Sequence, residues 1–453
     1  MPTPVARRSL ATPRIPLYVE HVPGHPLVDF AFVFRAGSAT DPVGLEGRLG
    51  LALRTLMRGT RSRGATAFEQ EIDRLGAEVE LEVEAESTRI HATVLSRHAE
   101  RLFALLAEAL TEPRFSAAEF ARERRAMIAD IVDGQNDDDD LASRAFSRVL
   151  FARHPYGRPA HGTSASLRRL NRGDIVASHR ESLGTANLIL GAAGSLDEQA
   201  LEQLVVKYLR PLHAGVRARP ITETPRRVMG RTLLFVDKPE RTRHALCIGG
   251  LGTDTHDSDH VPLLVANAVF GGMFTSRLSR EIRVRRGWSY DVHSSMSRGR
   301  RRQSFAMIAM PSSSDLVPTL RLMTALVDRW VADGVTDREV SLAKRFIVQG
   351  HAFDVDTAVK RLERRLLVPL WDVDDTYFTR FEDHVRAVTA RQASDAVRKR
   401  VSSDDLLFAV VGTASEHRSA VERAVPGLRA SFTHRYEREI PIGGLEHWSH
   451  SHG

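Results

Sequence analysis

Residues 26–42 read PLVDFAFVFRAGSATDP, and residues 243–260 read RHALCIGGLGTDTHDSDH. Each is an apolar run ending in a Gly-containing polar turn, the pattern of a strand entering a loop. A helical pattern follows both, EGRLGLALRTLMRGT from Glu46 and VPLLVANAVFGGMFTSRLSREIR from Val261. Later segments pair in the same way. NLILGAAGSLDEQALEQLVVKYL from Asn187 and LLFAVVGTASEHRSAVERAV from Leu406 both read as strand, Gly turn and amphipathic helix. The pairs are offset by about 218 residues. Solenoid repeats recur every ~20–50 residues, so an offset this long means a duplicated domain. Between the copies, RPLHAGVRARPITETPRRVMGR (210–231) holds three prolines and many arginines and reads as a linker. The expected domains are 1–220 and 221–453.

Within each copy, strands and helices mix. EVELEVEAESTRIHATVL from Glu78 alternates with period two, as a half-buried strand or hairpin does. SRHAERLFALLAEALTEPRF reads as a helix with Ser96 as N-cap and Pro113 just past its end. SAAEFARERRAMIADIVDGQ reads as another. The expected class is α+β: two homologous sandwiches, each a mainly antiparallel sheet with helices over one face.

Composition narrows the function classes. The chain has 453 residues, is 42% hydrophobic and 27% charged, and so has material for a normal core. No apolar run of membrane-spanning length occurs, and none of secretory length follows the N-terminal arginines. The single cysteine, Cys247, rules out an internal disulfide and fits a reducing, cytoplasmic setting. Net charge is +7, mostly from arginine, and it is spread along the chain, which does not point to nucleic acid. The basic run Arg298–Arg302 reads as a loop between strands. No P-loop, G-x-G-x-x-G or G-x-S-x-G motif is present.

The order of these segments resembles the insulinase/pitrilysin family of zinc peptidases over nearly the whole chain. FRAGSATDP resembles the strand and turn before that family's first helix. GRLGLALRTLMRGT is similar to the helix that carries its inverted zinc motif, H-x-x-E-H. ERRAMIADI resembles the later helix that supplies a third ligand, and HPYGRPAHGT and NLILGAAGSLD its later landmarks. GGMFTSRLSREIRVRRGWSYDVHSS in the second half is the most specific match. The resemblance implies that the two domains together form half of a clamshell, which closes around a peptide with the site made between subunits.

It also shows what is missing. Two histidines four apart put both imidazoles on one helix face, where they share a zinc ion, and the intervening Glu acts as base on zinc-bound water. Aligned on the shared R-G-T end, the histidine positions fall on Gly50 and Arg54, the Glu on Leu53 and the third ligand on Asp130. A lone carboxylate does not hold a catalytic zinc, and the Arg54 cation repels one. Glu123 lies about two turns before Asp130 on the same helix face, where both carboxylates are expected to neutralise arginines such as Arg54. What the resemblance retains is Arg283 and Tyr290. In the family an Arg and a Tyr at this spacing orient the substrate backbone and donate to the tetrahedral oxyanion.

The expected function is therefore a non-catalytic, substrate-binding subunit. It binds no cofactor itself, and it completes the site of a zinc-bearing family member through Arg283 and Tyr290. The alternatives are a structural or peptide-binding homodimer, and an autonomous metalloenzyme using His256, His260 or Asp130. The remaining clusters read as structural. His447, His450 and His452 form a terminal His-rich tail, and NDDDD (136–140) opens a helix. His154 and His161 anchor a loop, and Cys247 packs inside a strand.

Overall fold

The computed structural model describes residues 8–9 and 15–440. Among the described residues, twelve strands form two six-stranded sheets. The first contains β1 (Arg8–Ser9), β2 (Pro16–His21), β3 (Leu27–Phe34), β4 (Glu78–Val83), β5 (Thr88–Leu95) and β6 (Leu188–Gly194), in the order β1-β2-β6-β3-β5-β4. The second contains β7 (Arg231–Asp237), β8 (Ala245–Leu251), β9 (Val292–Met296), β10 (Ser304–Ala309), β11 (Leu407–Gly412) and β12 (Leu428–Arg435), in the order β12-β7-β11-β8-β10-β9. The two quoted sequence pairs become β3 with β8 and β6 with β11, at the same place in each sheet. Pairing is antiparallel except β2–β6, β7–β11 and β7–β12. The fold is thus the expected duplicated α+β architecture.

The repeat patterns resolve as local physics dictates. EVELEV becomes edge strand β4, with Val79, Leu81 and Val83 against the core and Glu78, Glu80 and Glu82 turned away. The helix expected from Ser96 starts later, at Ala99, because Ser96 opens a 3-10 turn and donates its hydroxyl to His25 O at 2.8 Å. The acidic run opens the helix Asp138–Phe151, where Asp137 accepts from the backbone N–H groups of Asp139 and Asp140. Arg298–Arg302 lies between β9 and β10, and Cys247 is buried in β8.

The compact units do not coincide with the sequence halves. One comprises residues up to 131, 158–221 and 354–375; the other comprises 132–157, 222–353 and 376 onward. The change at 221/222 falls within the linker, but two helical segments are exchanged. Helix Ala358–Trp371 covers the first sheet, and helix Asp138–Phe151 covers the second. Each sheet therefore has helices on both faces, not on one. The cause is written in the central strands. Every residue of β6 (LILGAAG) and of β11 (LFAVVG) is buried, so both parities need apolar cover. On the first sheet Phe30, Phe32 and Phe34 join the large core, while Ala31 and Val33 face Leu362 and Leu366.

A buried charge pins each exchanged helix. Glu20, at the end of β2, accepts from Arg361 Nε at 3.0 Å and Arg365 Nε at 2.8 Å. Lys238, just beyond β7, pairs with Asp138 and donates to Gln135 O at 2.7 Å. Positions 20 and 238 correspond in the repeat and carry opposite charges. Contact is close as well. A Cβ on Gly191 of β6 would lie 2.9 Å from Leu362 Cδ1, and Leu362 is buried. Gly191→Val is expected to lower unfolding free energy by about 1–3 kcal/mol through overpacking. Urea unfolding measures this, and an unchanged midpoint would show that the helix docks less tightly than described.

Candidate functional site

In the first unit, the helix Arg48–Leu56 carries the three motif positions. Buried Asp41 fixes its start by accepting from Gly47 N and Leu49 N, both at 3.0 Å. Burial pushes the Asp41 carboxyl up to about 7, against the pull of Arg48, Arg158 and the two N–H groups. The helix Ala117–Asp133 packs alongside and brings Glu123, Met127 and Asp130 to the same place.

A guanidinium, not a metal-binding set, fills that place. Arg54 donates through Nε to Glu123 at 3.1 Å and through Nη1 to Asp130 at 2.6 Å. Arg58 donates through Nε to the other oxygen of Glu123 at 2.7 Å and pairs with Glu69. Glu123 is almost fully buried, while Asp130 is exposed. Burial alone would lower the pKa of Arg54, but the bonds from Asp130 and Glu123 outweigh it and raise it further. A Cβ on Gly50 would lie 3.1 Å from Met127 Cε, so the flexible end of Met127 fills the space that a side chain there would take. Leu53 is buried in the apolar core and offers no base. Arg54, Arg58, Glu69 and Glu123 help to line a depression of 290 Å³.

A zinc ion does not fit these residues. The two remaining carboxylates already balance arginines, and the lining of the adjoining depression contains no histidine. The second proposed cluster also fails to assemble. His256 is exposed, with Nδ1 3.9 Å from Asp254. His260 is buried, with Nδ1 2.9 Å from Thr253 Oγ1, and burial with the nearby Arg298 charge lowers it to about 3. Among the described residues no group of three or more His, Cys, Asp or Glu could hold a metal ion. His447, His450 and His452 lie outside the described residues. His154 anchors its loop through Glu223 O at 3.1 Å. No described helix is long and apolar enough to cross a membrane.

In the second unit, Arg283 and Tyr290 come together. Arg283 lies on a π-helical turn, Ser279–Val284, a distortion that often marks functional positions. Tyr290 sits on the loop before β9. That loop is pinned by buried Ser289, which donates to Asp291 O and accepts from Met310 N at 2.9 Å. The Arg283 guanidinium carbon lies 4.3 Å from the Tyr290 ring centre and 4.4 Å from that of Phe274. Phe274 was not singled out by its sequence. A lone Phe beside a Gly pair carries no periodic signal, and only the turn brings it back to Arg283. The preceding turn is fixed by Arg277, whose Nε and Nη2 each donate to Glu339 at 2.8 Å.

The local charges leave Arg283 apart. Arg285 and Arg286 pair with Glu281 at 2.6 and 2.9 Å, and Arg280 lies 3.6 Å from it. Burial works against the Glu281 carboxylate, but the bond from Arg286 and these cations hold it below its ordinary range. Among the described residues no carboxylate pairs with Arg283. Its guanidinium is held by rings, and its N–H donors remain available to an acceptor-rich ligand.

Comparison with known proteins places the chain in a family. The family model described as "Insulinase (Peptidase family M16)" matches residues 17–164, and the one described as "Peptidase M16 inactive domain" matches residues 169–347. An uncharacterized zinc protease of Mycobacterium tuberculosis is 25% identical over 334 residues, covering 72% of this chain and 75% of that protein. A non-peptidase homolog of Helicobacter pylori, YmxG, is 23% identical over 409 residues, covering 88% and 92%. The crystal structure of a peptidase M16 inactive domain from Pseudomonas fluorescens superposes with a TM-score of 0.83 at 22% identity, covering 90% of this chain and 97% of that one. Two consecutive family matches, laid over two sheets of the same topology, establish that this chain belongs to the insulinase family, peptidase family M16.

Proposed function

We propose that this chain is the non-catalytic, substrate-binding subunit of a heterodimeric zinc peptidase. The observation that carries this reading is an asymmetry. The positions aligned with the zinc motif hold the Arg54–Glu123–Asp130 ion pairs, while Arg283 is partly exposed and Tyr290 exposed, with their donors available. A zinc-bearing partner of the same family supplies the metal and the activated water. Arg283 and Tyr290 supply N–H and O–H donors to the peptide carbonyl as its oxygen gains charge. Such donors accelerate a reaction when they are fixed in place before the charge appears. The substrate is an extended peptide that adds a strand to a sheet edge.

The test is hydrolysis of internally quenched peptides by this chain alone, by a family member from the same genome with an intact H-x-x-E-H, and by the two mixed, with zinc assayed in each. The expected result is no zinc and no hydrolysis for the lone chain, and hydrolysis by the mixture above that of the partner alone. Zinc-dependent turnover by the lone chain, or a mixture no faster than the partner, would overturn the proposal.

A further inference from the structure

We infer that Phe274 is a positioning residue for Arg283, acting on substrate only through the guanidinium it flanks. The inference rests on the reading that Arg283 meets the substrate.

Phe274 is 66% exposed and Tyr290 is 75% exposed, both unusual for large aromatic side chains. Core packing does not account for either ring. What they share is Arg283, at 4.4 and 4.3 Å from the two ring centres. A free arginine samples many rotamers, and a donor that wanders must be ordered again each time charge develops on the substrate. Neighbouring arginines are steadied by Glu281, but a carboxylate partner would occupy the same N–H groups that a substrate needs. An aromatic face attracts the cation through its quadrupole instead, and leaves the in-plane N–H donors available. Tyr290 has a donor of its own to offer, whereas Phe274 has none. Its contribution is confined to holding the cation. The turn that carries Phe274 is itself secured by the Arg277–Glu339 pair.

The experiment uses the complex with the zinc-bearing partner and internally quenched peptides of mixed sequence. Phe274→Ala, Phe274→Leu, Phe274→Tyr and Phe274→Trp are compared with Arg283→Ala. Because the ring is exposed, all four Phe274 variants are expected to keep the parent melting temperature. Ala and Leu are expected to lower kcat/KM about three- to tenfold, mostly in kcat, while Tyr and Trp retain it. Leu keeps the apolar bulk but has no π face, so parent activity in Phe274→Leu overturns the inference. Full activity in Phe274→Ala, with a loss in Arg283→Ala, also overturns it and leaves the proposed function standing. No loss in Arg283→Ala removes the role of Arg283 and the inference with it, while the mixing experiment decides the subunit reading.

Discussion

In the proposed complex with a zinc-bearing partner, Arg283→Ala is expected to lower kcat/KM by about 10²–10³-fold, the cost of losing one fixed donor to a developing oxyanion. The subunits are expected to co-elute as before. The size of the effect follows from the site. The guanidinium is held by two rings rather than by a carboxylate, so little of its charge is neutralised locally. Its removal breaks no described ion pair, and the fold should not register it. Tyr290→Phe removes one hydroxyl donor but keeps the ring against Arg283, and a smaller loss is expected. Arg283→Lys keeps the charge but not the planar array of donors, and is expected to recover only part of the activity. Steady-state kinetics on the purified complex decide the matter. Full activity in both Arg283→Ala and Tyr290→Phe would remove these residues from the site.

The second large effect concerns stability. Arg54→Met combined with Arg58→Met is expected to lower the unfolding free energy by about 3 kcal/mol, because it strips a buried carboxylate of its principal partners. Glu123 is buried between the two helices and receives Nε donors from both arginines. Arg122, half exposed and 3.4 Å away, is the cation that remains. The converse change, Glu123→Gln, is expected to cost less, since Arg54 keeps Asp130 and Arg58 keeps Glu69. This asymmetry distinguishes a buried ion network from surface pairs, which contribute ~0–1 kcal/mol. Chemical denaturation of the three proteins gives the comparison. Equal and small losses would show that Glu123 is better hydrated than its burial implies.

The candidate site was legible in unequal parts. Gly50, Leu53, Arg54 and Asp130 could be placed because helix spacing is fixed and the flanking R-G-T and ERRAMIADI segments set the alignment. Arg283 and Tyr290 were singled out through the GGMFTSRLSREIRVRRGWSY segment as a whole, not through either residue. Phe274, Arg58 and Glu69 were not legible. Each joins its cluster by a contact that depends on how a turn or a second helix folds back, and no period in the sequence encodes that. HDSDH had ligand-like spacing, yet His256 is exposed and His260 buried, because the helix begins at His260 and turns it inward.

By itself, the sequence determined the duplication, the α+β class and the absence of an H-x-x-E-H motif. These follow from local patterning and residue chemistry, which do not depend on what lies across the fold. Tertiary structure alone decided that helices Asp138–Phe151 and Ala358–Trp371 would each cover the sheet of the other half. Both are amphipathic, and either pattern suits an apolar sheet face. The choice lies in long-range partners: Glu20 with Arg361 and Arg365, Lys238 with Asp138, and the bare Gly191 surface beneath Leu362. Apolar burial is non-directional and accepts either helix, so paired charge and close steric fit between residues far apart in the chain were needed to select one.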